Sequence, residues 1–563
     1  MGNNIWNKRL NVAAFFIVVL TAILVFRLFQ KQILEHNVYA ASAENQYIVK
    51  KALPAGRGKI FASDMFPLAT NTQYYQVLAV PKNVKKPDET AEKLAPLLLM
   101  SKEEIFDLIN NNKNYIPPLK HGLTEDQGDK IAALKISGVV VMPEAGRVYP
   151  ENTLASQILG FVNKSGDGQY GIEGFYNEEL KGYGGELSAE KDTKGRLFNV
   201  GEKIDPKDGS DFILTIDHTI QYQAEQVLQD SIKKYQADSG SIVIMDAKTG
   251  AIYAMAGNPT YDPNKYNEVA KESQDVFNNP VIANAWEPGS VFKPLIMAAA
   301  INEGKVTPDT EQVFGSSVKV DSYEIHTSTN QAYGKETMTK VLENSDNVGM
   351  VWVAQQLGKD VEYKYVKDFG FGRKTGVELS TESEGKVDDV KTWSNTQAAT
   401  ISFGQGLAVT PVQLVTAIAS IANGGHLMKP YIVSEVRDTN GHVDQRQPQE
   451  VKTVLSKDSA NKVKDMMVSV VVNGHGKKAA VSGYKIAGKT GTAQVPKPGG
   501  GYYTDRHIGS FVGFAPADDP KFAMLVRLDQ PKNVDWAESS AAPTFGEMAK
   551  WLLEYFRISP TDQ

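Results

Sequence analysis

The strongest constraint on this chain is a run near its start. From Leu10 to Phe29 only Asn11, Thr21 and Arg27 interrupt the apolar side chains. About 20 such residues are what a helix needs to cross the hydrocarbon core of a bilayer. Lys8 and Arg9 precede the run and no acidic residue appears before Glu35, a charge bias that keeps the N-terminus on the cytoplasmic side. A cleaved signal peptide is the rival, because Ala41-Ser42-Ala43 has the small-residue form of a cleavage site. Arg27, Lys31, Glu35 and His36 separate it from the apolar run, which favours an uncleaved single-pass anchor over 1–38.

The chain beyond the anchor is long enough for several compact units, with 563 residues in all. Sixty Lys+Arg against 66 Asp+Glu give a net charge of −6, with 42% hydrophobic and 22% charged residues, so neither a disordered chain nor a basic nucleic-acid binder is expected. There is no cysteine, which removes thiolate nucleophiles, disulfides and Cys-ligated metals and suits an oxidising, extracytoplasmic setting. The eight histidines are scattered, with no H-E-x-x-H spacing, and no G-x-S-x-G elbow surrounds a serine.

Residues 39–205 alternate short apolar runs with Gly and Pro, as in Tyr74 to Val80 and Ile136 to Val141, and read as an extended, strand-rich pedestal. Within it Leu94, Leu97, Leu98, Ile105, Leu108 and Ile109 keep helical spacing, which predicts a helical insertion over about 85–135, interrupted at Pro117-Pro118. A Gly-, Lys- and Asp-rich passage leads to a boundary near Pro206, and Phe212 to Ile216 opens a second domain over 206–563. Its pattern predicts a helix over 220–234, a hairpin over 241–255, many helices, strands over 510–514 and 522–528, and an amphipathic helix over 544–557. The whole is α+β.

Three short motifs carry candidate chemistry. In Glu287-Pro288-Gly289-Ser290-Val291-Phe292-Lys293, Ser290 and Lys293 are three apart at a helix start and share one face. A serine hydroxyl needs an adjacent base to become a nucleophile, and a desolvated lysine can serve. On its own the pattern is equally a polar first turn. Ser345-Asp346-Asn347 can aim a hydroxyl and an amide at one cleft, or cap the helix after it. Lys489-Thr490-Gly491-Thr492 reads as a strand offering a cation and two hydroxyls to a carboxylate, with Gly491 allowing close approach of a substrate backbone, or as an exposed strand with a solvated lysine.

Together and in this order, S-x-x-K, S-D-N and K-T-G are the trio of penicillin-binding proteins and class A β-lactamases. The chain resembles a class B, monofunctional penicillin-binding protein over nearly its whole length. Arg57-Gly58-Lys59-Ile60, Arg147-Val148-Tyr149-Pro150, Gly171-Ile172-Glu173, Phe403-Gly404-Gln405-Gly406 and Thr410-Pro411-Val412-Gln413 look like landmarks of the family, the last two groups and Glu287 to Ser290 being most similar to its septal branch. It departs from the family pattern at Ala62, Ser63 and Met65, where an Asp-Arg pair and a Gly are usual, so the ion pairing of the pedestal differs there. It departs again at Asp346, where small residues are common.

The resemblance implies a transpeptidase domain with an antiparallel sheet flanked by helices, and a D,D-transpeptidase acting on peptidoglycan stem peptides. Ser290 would attack the D-Ala-D-Ala carbonyl, Lys293 would be its base, Ser345 with Lys489 a proton route to the leaving amine, and Asn347 a ligand of the donor amide. Thr490 and Thr492 would hold the terminal carboxylate beside Gly491, and the backbone N–H groups of Ser290 and Thr492 would form the oxyanion hole. No metal or other cofactor is implied. β-Lactams are the implied covalent inhibitors, and a polytopic glycosyltransferase and division proteins the implied partners, at a bacterial cytoplasmic membrane.

Alternatives share some of these residues. A membrane-bound β-lactam sensor or a β-lactamase would use the same serine and lysine, and a non-catalytic division scaffold would keep them unused. Gly483 to Thr490 also satisfies the phosphate-loop pattern G-x-x-x-x-G-K-[ST], but that loop must open a helix, and the Gly- and Pro-rich residues after Thr492 do not form one.

Overall fold

The computed structural model describes residues 3–39, 48–191, 197–271, 273–497, 499 and 501–560. Ala41-Ser42-Ala43 lies outside the described residues. Helix runs from Asn3 to Phe29, and the stretch Trp6–Leu34 is long and apolar enough to cross a membrane.

The chain divides into two compact units, Met1–Gly56 with Gly182–Gly209, and Arg57–Lys181 with Ser210–Gln563. In the first, strand Ile48–Leu53 pairs antiparallel with Gly185–Lys191, which pairs antiparallel with Leu197–Ile204. In the second, a sheet joins distant parts of the sequence: Val443–Gln445, Val433–Arg437, Asp211–Leu214, Ile60–Phe61, Pro67–Ala79 and Lys120–Leu123 lie side by side, and Val139–Val148 also pairs with Pro67–Ala79. Helices Pro87–Leu98, Lys102–Ile109 and Glu125–Ala133 occupy the expected insertion. Leu94, Leu98, Ile105 and Ile109 are buried in its core, while Leu108 stays exposed.

Ion pairing in this part is built around Glu173, which is fully buried. Arg57 Nη2 and Arg147 Nε reach its two oxygens at 2.6 Å each, and Tyr149 Oη donates to it at 3.3 Å. Two guanidinium groups around one carboxylate offset the cost of burying it, as an unpaired charge could not. At the departure from the family pattern, Ala62 is buried and Met65 takes φ +67° in the turn after Phe61.

The remainder of the second unit centres on a five-stranded antiparallel sheet. Helix α1 (His218–Tyr235) precedes it, capped by Asp217, whose carboxylate accepts from the amides of Thr219 and Ile220. Strands β1 (Ser239–Met245) and β2 (Ile252–Asn258) form the hairpin. After the helical lobe come β3 (Ala487–Pro496), β4 (Tyr502–Ala515) and β5 (Phe522–Asp529), then helix α2 (Ala541–Tyr555). The order across the sheet is β2-β1-β5-β4-β3. Alternation divides each inner strand between two cores. Ile242 and Ile244 pack with Leu228 of α1 and with Phe545 and Leu552 of α2, whereas Val243 and Met245 pack with the helical lobe. The sheet is therefore covered on both faces, and β3 lies at its edge beside the lobe.

Candidate active site

Ser290 is placed by a turn and an all-apolar helix. Gly289–Phe292 forms one 3-10 turn that runs into helix Lys293–Asn302, where Leu295 to Ala300 are all fully buried. A helix apolar all round belongs inside a core, and burial on every side fixes its first turn. Gly289 has φ +63°, and its N–H donates to Gly404 O at 3.0 Å. Gly404 has φ +82°, and a Cβ there would lie 2.6 Å from Gly289 N. Glu287 adds a brace, accepting from Gly406 N at 3.0 Å and from Tyr502 Oη at 2.8 Å. Glu287 opens the first motif, but its bracing role and its partner Tyr502 were not read from sequence, because nothing local links residues so far apart.

The second motif is a loop between helices Met338–Glu343 and Asn347–Leu357. Ser345 takes φ +54°, which turns its side chain and its carbonyl toward Lys293. Asp346 is fully buried and acts as the cap foreseen as the alternative: its two oxygens accept from Val348 N and Gly349 N, both at 2.9 Å.

The third motif lies on β3, which pairs antiparallel with β4 from Ala487 to Gln494. Gly488, Lys489 and Thr490 therefore belong to a strand and open no helix, so they present no phosphate cradle. Gly491 meets a further demand: a Cβ would fall 2.8 Å from Ser510 Oγ, 2.9 Å from Val291 Cγ1 and 3.1 Å from Pro288 O. Glycine lets the edge strand lie directly against the serine turn. Thr492 Oγ1 accepts from Ala537 N at 3.0 Å, leaving its proton free to donate.

The three motifs converge. Lys293 Nζ donates to Ser345 O at 2.6 Å, to Asn347 Oδ1 at 2.8 Å and to Ser345 Oγ at 3.2 Å. Lys489 Nζ donates to the same Ser345 Oγ at 3.0 Å and to Thr490 O at 3.0 Å. Both lysines are fully buried. Burial holds Lys489 down to about 7, and burial with the neighbouring Lys489 charge pushes Lys293 well below the ordinary lysine range, opposed by Asp346. Ser290 is half-buried and its hydroxyl makes no hydrogen bond among the described residues. It lines a cavity of about 320 Å³ with Ser345, Asn347, Thr490 and Thr492. Thus a hydroxyl without a partner and a row of hydroxyl and amide donors face one space, and a lysine stripped of its preference for the proton stands behind them, bonded to Ser345. The cavity wall also includes His475, Trp536 and Glu538, with His475 Nδ1 and Glu538 Oε2 3.1 Å apart. No sequence motif marked these three. Among the described residues no group of His, Asp and Glu has the arrangement to hold a metal ion.

Comparison with known proteins agrees with this assembly. Residues 240–550 match the family model of the penicillin-binding protein transpeptidase domain, and residues 52–214 that of the penicillin-binding protein dimerisation domain. The chain is 34% identical to stage V sporulation protein D of Bacillus subtilis over 98% of its own length and 86% of the relative's. It is 30% identical to the peptidoglycan D,D-transpeptidase FtsI of Buchnera aphidicola, over 98% and 94%. Among solved structures, penicillin-binding protein 3 of Mycobacterium tuberculosis in complex with aztreonam superposes with a TM-score of 0.71 at 27% identity, over 91% of this chain and 99% of that one. With Ser290, Ser345 and Asn347 on one cavity beside the sheet edge and two buried lysines meeting on Ser345 behind it, the chain belongs to the class B penicillin-binding proteins.

Proposed function

We propose that the protein is a peptidoglycan D,D-transpeptidase of septal wall synthesis, anchored by its N-terminal helix with the N-terminus in the cytoplasm and the catalytic domain outside. The observation that carries the reading is the meeting of two buried lysines on one serine hydroxyl, that of Ser345, which lines the same cavity as Ser290. Two ammonium groups so close in a dry site disfavour each other, and a neutral Lys293 is the form that can accept a proton.

Ser290 Oγ attacks the carbonyl of the penultimate D-Ala of a stem peptide while its proton passes to Lys293. The oxyanion lies against the N–H groups of Ser290 and Thr492. Lys293 passes that proton on through the Ser345 hydroxyl, which it shares with Lys489, to the departing amine, the C–N bond breaks, and D-Ala departs, leaving an ester on Ser290 and Lys293 neutral again. An amine from a neighbouring strand attacks that ester, gives a proton to Lys293, and restores the serine hydroxyl as the new amide forms. Asn347, held by Lys293 at Oδ1 and donating to His326 O at 3.1 Å, presents its amide to the donor peptide. Thr490 and Thr492 receive the terminal carboxylate beside Gly491. β-Lactams acylate the same serine, and a polytopic glycosyltransferase and division proteins are the partners that supply and place the strands.

The test is the intact mass of the detergent-solubilised protein after exposure to benzylpenicillin. One adduct on Ser290, lost in Ser290→Ala, is expected. An adduct that persists in Ser290→Ala overturns the reading.

A further inference from the structure

Behind the second motif lies a carboxyl group that the transpeptidase reaction does not use. Glu336, on strand Gly334–Thr337, is 4% exposed. Its Oε1 accepts from Asn344 Nδ2 at 2.5 Å, which holds the carboxyl beside the loop that carries Asp346, while Oε2 is buried without a hydrogen-bond partner and feels the Asp346 charge. Asp346 is itself fully buried, caps helix Asn347–Leu357 with both oxygens, and is the carboxylate whose charge acts on Lys293. Two ionised carboxyls in such a place repel. A proton on Glu336 Oε2 turns the repulsion into a hydrogen bond, and it occupies the one oxygen left without a partner.

We propose that Glu336 is a positioning residue for acylation: its carboxyl proton holds Asp346, and its loss places a second negative charge behind Asp346 that makes Lys293 retain its own proton. The inference rests on Lys293 being the base. Burial foremost, with the Asp346 charge, lifts Glu336 to about 7, opposed by the Asn344 bond and by Lys340, so the proton is exchanged at working pH. The charged groups around the pair are few. Lys340 faces Glu336 from helix Met338–Glu343 and is tied to Glu343, Lys293 faces Asp346 from the serine helix, and Lys489 lies beyond Lys293 on β3.

Below pH 7 Glu336 is neutral and, of the two carboxyls, only Asp346 acts on Lys293. Above it, ionised Glu336 raises the proton affinity of Lys293 and delays the neutral base. In Glu336→Gln the amide still accepts from Asn344 and donates to Asp346 but does not ionise. The rate of Ser290 acylation by benzylpenicillin, measured from pH 5.5 to 9.5 on the solubilised full chain, should match wild type at the acidic end. Its ascending limb should be displaced ~0.5–1 unit toward lower pH, the size of a one-charge change near a buried lysine. Titration of Lys489 is common to both proteins and cancels in the comparison. Asn344→Ala is the second variant: without the amide on Oε1 the carboxylate form is disfavoured, Glu336 keeps its proton to higher pH, and the limb moves the same way by less. Profiles that coincide with wild type, or move toward higher pH, overturn the inference. They do so in an enzyme that still acylates on Ser290, whereas persistence of the adduct in Ser290→Ala marks failure of the underlying reading instead.

Discussion

Lys489 reaches Ser345 across 144 residues of sequence, with Nζ 3.0 Å from Oγ. The strand that carries the lysine is fixed by the sheet, and the loop that carries the serine is fixed by Asp346 at the head of its helix. The contact is therefore a joint between the sheet and the helical lobe, and the proposed proton route crosses that joint.

Ser345→Ala removes the hydroxyl that both lysines share. Acylation by benzylpenicillin should fall by ~10²-fold or more, in the range of a lost proton-transfer group, with the adduct that does form still on Ser290. Stopped-flow acylation with peptide mapping reads both quantities. An unchanged rate would show that the relay does not pass through Ser345.

Lys489→Met probes what burial of a charge costs the fold. The folded protein holds the lysine at about 7 against its ordinary 10.5, so between those values the unfolded chain binds a proton that the folded chain lacks, and stability rises with pH there. Below pH 7 both states are protonated and the burial penalty is complete. Lys489→Met should therefore be more stable than wild type at pH 6–7 by up to a few kcal/mol, with the advantage shrinking at about 1.4 kcal/mol per unit toward pH 10.5. Thermal midpoints of the two proteins across that range check it. A gap that is constant with pH refutes the depressed lysine.

Gly404→Ala should separate stability from chemistry. A Cβ at φ +82° would meet the backbone of Gly289, which precedes the nucleophile. The strain should cost ~1–3 kcal/mol, and displacement of the serine turn should lower acylation more than a surface mutation of equal stability does. Denaturant unfolding and acylation rates measured together provide the check.

Met65→Gly should stabilise the protein. Met65 sits at φ +67° with its side chain 42% exposed, so the side chain adds little packing and the backbone is strained. Left-handed geometry costs a non-glycine residue ~1–2 kcal/mol, and the added freedom of glycine in the unfolded chain returns part of that, leaving a gain of ~0.5–1 kcal/mol. The midpoint of thermal unfolding is the measurement.

Much of the site was legible in sequence because each motif is short and its element is locally coded. The sequence pattern predicts a helix over 220–234, and the helix spans His218–Tyr235, extended at its start by the Asp217 cap. The last helix, expected over 544–557, spans Ala541–Tyr555. The alternation over 481–487 marks Lys489 to Thr492 as strand, and the glycines and prolines that follow exclude the helix a phosphate loop would need. What stayed hidden depends on contacts between distant segments. Tyr502 bracing Glu287, Glu538 meeting His475 and Glu336 standing behind Asp346 leave no periodicity to read, because their partners are chosen by the packing of the lobe against the sheet. The same holds for the pairing of Ile60–Phe61 with Asp211–Leu214.

That pairing sets an order of events during synthesis. Ile60–Phe61 gains its parallel neighbour only when Asp211–Leu214 has been made, and the next strand of the sheet, Val433–Arg437, comes more than 200 residues later still. A chain that emerges N-terminus first thus exposes an open sheet edge through most of its production, and open edges invite pairing with the wrong chain. The early segment has its own helical core to hold it meanwhile, but the edge at Asp211–Leu214 is covered only once Val433–Arg437 has been made. For this protein, slow synthesis should therefore be more hazardous than a weak core.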